Sequence, residues 1–454
     1  MKQDLIIKEL LVRIEHLEAE VKALRKENSY LRSELEKYKH AKNSGNSHMP
    51  PSKDENRPQR NQSLREKSDK KVGGQTGHEG KTLMMTKNPD EIIKEAPDYC
   101  SHCGKDLIEV EEVFVDRRQV IDMPPIRPIY KEYQVYSKTC ICGHTTVSKF
   151  PHGVISTIQY GTNTEAMVSY LHSRQYLPFQ RMVEFMNDVF DLPISEGGLH
   201  CLLNRFTDKA RYFYEEIKNR IEKSESIGTD ETGAKVNGKK HWYWTWQTEH
   251  LTYIHHSLNR GIKTIQDVFK NGLPNSILQH DRWASHFHCL SKGHQLCTSH
   301  LLRDINYLEE LYKNEWASNM KKILKQAIEL KKQLLPNQYY RTFEPIIKIQ
   351  DDLDNLLNQP IDESCKKIIT FQKYLNKHRN NILLFLYHPK VPPDNNGSER
   401  SIRNVKVKQK ISGQFKSDKG AEIYAVNRSV IDTIIKSKQN VLMGLNLIAN
   451  FNSD

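Results

Sequence analysis

The chain has 454 residues, 37% hydrophobic and 27% charged, with 68 Lys and Arg against 56 Asp and Glu and a formal net charge of +12. That length calls for several domains rather than one core. No run approaches the roughly 18–20 apolar residues of a spanning helix, which excludes a transmembrane protein. The first residues mix charge with aliphatics where a signal peptide has an apolar block, so a cytoplasmic protein without membrane partners is expected. The basic excess favours a polyanionic partner such as nucleic acid.

Residues 5–38 keep a heptad, with Ile7, Ile14, Val21, Asn28 and Leu35 at a and Leu10, Leu17, Leu24, Leu31 and Tyr38 at d. β-Branched a residues with Leu at d favour two parallel strands, and the single polar Asn28 sets register. The g–e couples Arg13–Glu18, Glu20–Arg25 and Glu27–Arg32 are all opposite in charge. A parallel dimeric coiled coil over 1–40 is therefore expected, making the protein a homodimer through 5–38. Residues 41–90 are rich in Asn, Ser, Gly, Pro and Lys, with ten Lys or Arg against six Asp or Glu, and read as a basic flexible linker.

Cys100-x2-Cys103-Gly and Cys140-x-Cys142-Gly-His144 bracket a segment that reads as two or three strands around a Pro-Pro turn. Two tight cysteine turns, each opened by a following Gly, supply four thiolates for one tetrahedral ion. A zinc-ribbon-like module over 91–150 with structural Zn²⁺ is expected, Arg117 and Arg118 on its strands being available to DNA phosphates. Residues 151–223 read as helical, broken near Pro178 and at 192–198, with Ser195 as an N-cap. QRMVEFMNDVF and EGGLHCLLNRF have the proportions of a helix-turn-helix, which would put Arg205 and Lys209 against DNA.

The chemically informative stretch starts near residue 224. A strand ending near Asp230, a second at 241–248 with alternating Trp242, Trp244 and Trp246, a third at 252–257, a helix at 262–269 and a fourth strand ending at Asp281 match the start of an RNase H-like core. In that fold the first and fourth strands are neighbours, so Asp230 and Asp281 would meet. Asp230 and Glu231 point to opposite faces of a strand, so only one of them can join the site. A third acid, Glu399, lies in the first turn of a later helix, after the turn Asn395-Asn396-Gly397-Ser398. Three convergent carboxylates suit Mg²⁺ or Mn²⁺ in a two-metal phosphoryl transfer. Residues 399–419 carry seven basic residues against two acids, and Arg400, Arg403, Lys406, Lys408 and Lys410 are candidate phosphate contacts.

These motifs, with GGQTGHEGKTL, QYGTNTEAMVSYL, DET at 230–232, HQLCTSHLLRD at 294–304 and NNGSERSIRNVKVKQKISGQF at 395–415, resemble in content and order the DDE transposases of the bacterial insertion sequence 66 family, almost end to end. The resemblance implies a catalytic triad of Asp230, Asp281 and Glu399 with Mg²⁺ or Mn²⁺, zinc on Cys100, Cys103, Cys140 and Cys142, and a bacterial cytoplasmic enzyme. It would cleave the terminal inverted repeats of its element and join the 3′ ends to target DNA, with accessory proteins of the same element as further candidate partners. A non-catalytic zinc-containing DNA-binding protein and an RNase H-like nuclease without strand transfer are the alternatives. Cys297 and His300 form a candidate structural pair. The expected architecture is multidomain α+β: coiled coil, linker, zinc module, a helical region, an RNase H-like core at 224–290 and 391–420 interrupted by an all-α insertion at 291–390, and a C-terminal helical region at 421–454.

Overall fold

A computed structural model describes residues 2–39 and 83–451, so most of the predicted linker lies outside the described residues. Among the described residues, 83–128 belong to one compact unit, and 2–39 with 129–451 to another.

The long amino-terminal heptad segment is a single helix, α1 (Lys2–Lys39). In the single chain its seam residues Ile14, Leu17, Val21, Leu24, Leu31 and Leu35 stay about half exposed, and Asn28 accepts a hydrogen bond from Arg32 Nε at 2.7 Å. The helix is thus present, with its apolar seam open to solvent.

In the smaller unit, Cys100 opens a tight turn: Cys100 N–H donates to the Lys105 carbonyl at 2.8 Å and Gly104 N–H to the Cys100 carbonyl at 2.9 Å. Gly104 has φ +70°, which a side chain would strain. Cys140, in the larger unit, repeats the pattern one residue shorter, with Cys140 N–H to His144 O, Gly143 N–H to Cys140 O and Gly143 at φ +85°. This second turn joins the hairpin β1 (Ser137–Thr139) and β2 (Thr145–Val147). The strands expected around the Pro-Pro turn do not form: 111–136 has no ladder, and its apolar residues, such as Val115 and Val120, are exposed. The described residues therefore hold two cysteine turns but no clear zinc ribbon.

Three helices precede the sheet: α2 (Thr162–Ser169), which runs on into a π turn, α3 (Phe179–Phe190) and α4 (Glu196–Glu222). Ser195 caps α4, its Oγ accepting from Gly198 N–H at 3.1 Å. Phe206, Ala210, Tyr214, Ile217 and Ile221 of α4 are buried in one cluster with Ile227, Trp244 and Trp246 of the sheet. The two cations expected to face DNA from this region have a partner within the protein. Glu165 of α2 is buried, and it takes both predicted DNA contacts, Arg205 at 2.5 Å and Lys209 at 3.0 Å. A buried carboxylate left without those cations would be strongly destabilising, so both serve the fold, although the Arg205 side chain remains 40% exposed.

The core is a five-stranded sheet in the order β5-β4-β3-β6-β7. Strands β3 (Ser226–Val236), β4 (Lys239–Gln247) and β5 (Thr252–Ser257) form an antiparallel meander. Helix α5 (Ile262–Val268) crosses back to β6 (Leu273–His280), parallel to β3. The short α6 (Ala284–Phe287) then leads to β7 (Ser291–Leu296), parallel to β6. Strand order and directions are consistent with an RNase H-like fold. The first strand does not stop at Asp230 but runs on to Val236, where Asn237 and Gly238, both at positive φ, turn the hairpin.

Helices α7 (Thr298–Tyr312), α8 (Glu315–Gln333), α9 (Glu344–Asn358) and α10 (Lys366–Lys377) pack around Trp316, Met320, Leu324, Leu353 and Phe371. The helical insertion therefore begins after β7, because residues 291–296 belong to the sheet. Helix α11 (Asn396–Ser412) returns to β3 and β4. The segment beyond residue 420 is part of the core: α12 (Asp418–Lys436) and α13 (Val441–Ala449) contribute Val426, Val430, Ile431, Leu445 and Ile448 to the same cluster as the tryptophans.

Candidate active site

Strands β3 and β6 pair with Ser226 opposite Ile277, Ile227 opposite Leu278 and Gly228 opposite Gln279. The ladder ends there, and its offset of 51 positions, carried two residues further, directs Asp230 towards Asp281, the residue that follows β6. Asp281 Oδ1 accepts from Trp283 N–H at 2.8 Å, and Asp230 Oδ1 from Glu231 N–H at 2.9 Å.

The third acid arrives by close docking of α11 on β3. Asn395, the residue before the helix, donates from Nδ2 to the Thr229 carbonyl at 2.7 Å and accepts from Ser398 Oγ at 2.7 Å, while its N–H meets Cys297 Sγ at 3.1 Å. Gly228 and Gly397 permit this approach. A Cβ at Gly228 would lie 2.6 Å from Asn395 Oδ1, Gln247 Nε2 and Ser398 Oγ, and one at Gly397 would lie 2.4 Å from Gln247 Nε2. Glu399 then follows in the first turn of α11.

The electrostatics tie the three acids together. Burial, then the charges of Glu231, Asp281 and Glu399, push the Asp230 carboxyl well above its ordinary range. Glu231 lies on the other face of β3, with its side chain 2% exposed. Burial alone would raise its pKa, but the hydrogen bond and charge of His286 and the charge of Arg260 outweigh this and hold it below the usual range. Arg260 Nε donates to Glu231 Oε1 at 2.9 Å, and His286 Nε2 lies 3.1 Å from Glu231 Oε2 and 3.8 Å from Asp281 Oδ1. Arg260 also stacks on Trp283, 3.7 Å from the ring centroid. Glu399 is 3.5 Å from His300 Nε2 and 3.6 Å from Arg303 NH2. Cys297, His300 and Glu399 gather their ligand atoms within 4.8 Å, and burial pushes the Cys297 thiol up to about 12.

Sequence reasoning missed Arg260, His286, Arg303 and Asn395. Asn395 carried a signal in its turn motif; the others are ordinary surface-type residues until the fold buries their partners. Among the predicted phosphate contacts, Arg400, Arg403 and Lys410 are exposed along α11, and Arg117 and Arg118 are exposed in the smaller unit. Lys406 donates to the Gly233 carbonyl. Lys408 is a correction: it is 5% exposed, with Nζ 3.3–3.5 Å from the carbonyls of His172, Tyr176 and Leu177. Its burial depresses its pKa to about 8. Accordingly, Arg403→Ala is expected to weaken DNA binding several-fold and lower the slope of affinity against salt by about one. Lys408→Gln is expected to leave that slope unchanged and to lower the melting temperature. Salt titrations of DNA affinity with thermal melts check both.

The donor set suits a hard divalent cation. It consists of carboxylate oxygens, burial and its acidic neighbours raise the pKa of Asp230, and Glu399 Oε1 is buried without a hydrogen bond. Elsewhere, the backbone N–H groups of Cys103 and His102 lower the Cys100 thiol, and that of Cys142 lowers Cys140. This favours the thiolate form that zinc requires. Among the described residues, the groups of three or more candidate ligands are Cys297–His300–Glu399 and His241–His256–Asp418, and the cysteine turns belong to neither.

A sheet of this order, with a buried acid on its central strand and helices on both faces, is consistent with an RNase H-like α/β domain. The chain belongs to the IS66 family of transposases: the family model described as "Transposase IS66 family" matches residues 157–423, more than half its length. A second model, described as a family of unknown function, matches residues 2–84. No curated protein matches the chain. No helix among the described residues is long and apolar enough to cross a membrane.

Proposed function

We propose that the protein is a metal-dependent DNA transposase that cleaves the terminal inverted repeats of its element and joins the freed 3′ ends to target DNA. Asp230, Asp281 and Glu399 are its catalytic carboxylates. Beyond family membership, one observation carries this reading: the parallel register of β3 and β6, with α11 docked on Gly228, gathers acids from three distant parts of the chain. These residues would hold Mg²⁺ or Mn²⁺, which when bound supplies Lewis-acid activation of the attacking oxygen and stabilisation of the leaving oxygen. The protein's own part is positioning. His286 and Arg260 fix Glu231 and brace the Asp281 loop, Asn395 locks the start of α11, and Arg400, Arg403 and Lys410 face the phosphates beside the scissile bond.

By their spacing in the sequence, Cys100, Cys103, Cys140 and Cys142 are candidate ligands of structural zinc, and the half-exposed seam of α1 is read as the surface of a parallel homodimer. A dimer brings two active sites to two DNA ends by symmetry. Removal of residues 1–40 is expected to convert the protein to a monomer in sedimentation, and an unchanged mass would refute the zipper.

An assay on DNA carrying the inverted repeats, with Mg²⁺, tests the function. Cleaved and joined products are expected. Cleavage without joining would make the protein a nuclease, and binding without cleavage would make it a non-catalytic DNA-binding protein.

A further inference from the structure

A second group of ligand atoms lies away from the acids, towards the outer edge of the sheet. His241 stands near the start of β4, His256 near the end of β5, and Asp418 opens α12. Tyr243 pairs with His256 across the strands, so His241, two residues earlier on the same face, is the diagonal neighbour of His256. His241 Nδ1 lies 2.9 Å from His256 Nε2 and 3.5 Å from Asp418 Oδ1, and the two rings stack with centroids 5.1 Å apart. All three ligand atoms fall within 4.8 Å of one another. A tetrahedral ion with Zn–N bonds of roughly 2.0–2.1 Å separates two ligand nitrogens by about 3.3–3.4 Å, so the spacing here needs adjustments of a few tenths of an ångström. One ring proton satisfies the imidazole pair, yet the Asp418 carboxylate converges on the same point, an arrangement that a cation completes.

We propose that His241, His256 and Asp418 form a site for a divalent transition ion of the zinc class, with water as the fourth ligand. Two imidazoles and one carboxylate suit zinc, cobalt(II) or nickel rather than Mg²⁺, which prefers oxygen ligands throughout. His241 is 4% exposed and Asp418 is open to solvent, so the ion has both a buried anchor and an entry path. Its place in the fold assigns it a task. The turn between α11 and α12 is tied to the β3–β4 hairpin by Phe415 N–H to Lys235 O at 2.9 Å, Asn237 N–H to Phe415 O at 2.8 Å and Gly238 N–H to Gln414 Oε1 at 2.8 Å. An ion on the three ligands clamps the far side of that turn to β4 and β5. It thereby fixes the carboxy-terminal end of α11, the helix whose first turn carries Glu399.

The test needs neither DNA nor catalysis. Full-length protein, stripped of metal and dialysed to equilibrium against micromolar free zinc, is expected to hold one zinc per chain more than His256→Gln or Asp418→Asn, as counted by atomic emission. Zinc should raise the melting temperature of the wild type more than that of either variant. Asp418 is exposed, so Asp418→Asn keeps the experiment decisive even where His256→Gln does not fold. Cobalt(II) distinguishes this site from the cysteine turns, because thiolate charge-transfer absorption should be unchanged in both variants. Equal zinc content in all three proteins, or equal zinc-induced shifts in melting, would overturn the proposal.

Discussion

Asp230→Asn is expected to lower DNA cleavage and joining by roughly 10²–10³-fold or more, while the metal-free variant melts a few degrees above the wild type. The two effects share one cause. Burial and the charges of Glu231, Asp281 and Glu399 raise the Asp230 carboxyl well above its ordinary range, so its ionised form is a burden on the folded protein. A neutral amide of the same shape removes that burden and, with it, the charge that a metal needs. The sign follows from linkage. A raised acid binds its proton more tightly in the folded state, so stability falls as pH rises from the unfolded value of about 3.9 towards the raised one. The stability gain of Asp230→Asn should therefore be present at neutral pH and vanish below about pH 4. Mg²⁺ should narrow the gap by binding the folded wild type. Parallel melts across pH, with and without Mg²⁺, alongside the cleavage assay, check each part. A variant that loses stability and activity together would instead make Asp230 a structural acid.

Gly228→Ala is expected to destabilise the protein by about 1–3 kcal/mol and to reduce cleavage by roughly 10²-fold. The added Cβ would sit 2.6 Å from Asn395 Oδ1, Gln247 Nε2 and Ser398 Oγ. These are side-chain atoms, but two of them cannot simply swing aside: Asn395 is held to the Thr229 carbonyl and by Ser398. Relief must come from lifting the start of α11, which moves Glu399 away from Asp230. Gly261→Ala is the control, since its Cβ would meet nothing within 4 Å and its backbone is extended. Denaturant melts and single-turnover cleavage measure the pair, and a fully active Gly228→Ala would show that the close approach is dispensable.

The strands around the site were readable from local pattern, because alternation in WYWTW and turn residues act over a few positions. The Asn237-Gly238 turn is equally local, and it carries the first strand beyond Asp230 to Val236. Other errors came from residues whose pattern is ambiguous. SKGHQL has too few apolar residues to announce an edge strand, and VFVDRRQVIDM has a strand-like composition but no ladder in the fold. Lys408 reads as a surface cation because a sequence does not display the buried carbonyls around it, and it likewise does not display the buried Glu165 that engages Arg205 and Lys209.

The sequence by itself determined the class of the protein, the amphipathic amino-terminal helix, the paired cysteine turns and the three acids proposed for catalysis, since these depend on residue type, short spacing and periodicity. Only the tertiary structure decided which charges are spent inside the molecule and which face outward. It also decided that α4, α12 and α13 belong to the core, and that His241, His256 and Asp418 share one point. Such facts depend on strand register and helix docking, which join residues up to hundreds of positions apart and leave no periodic trace along the chain.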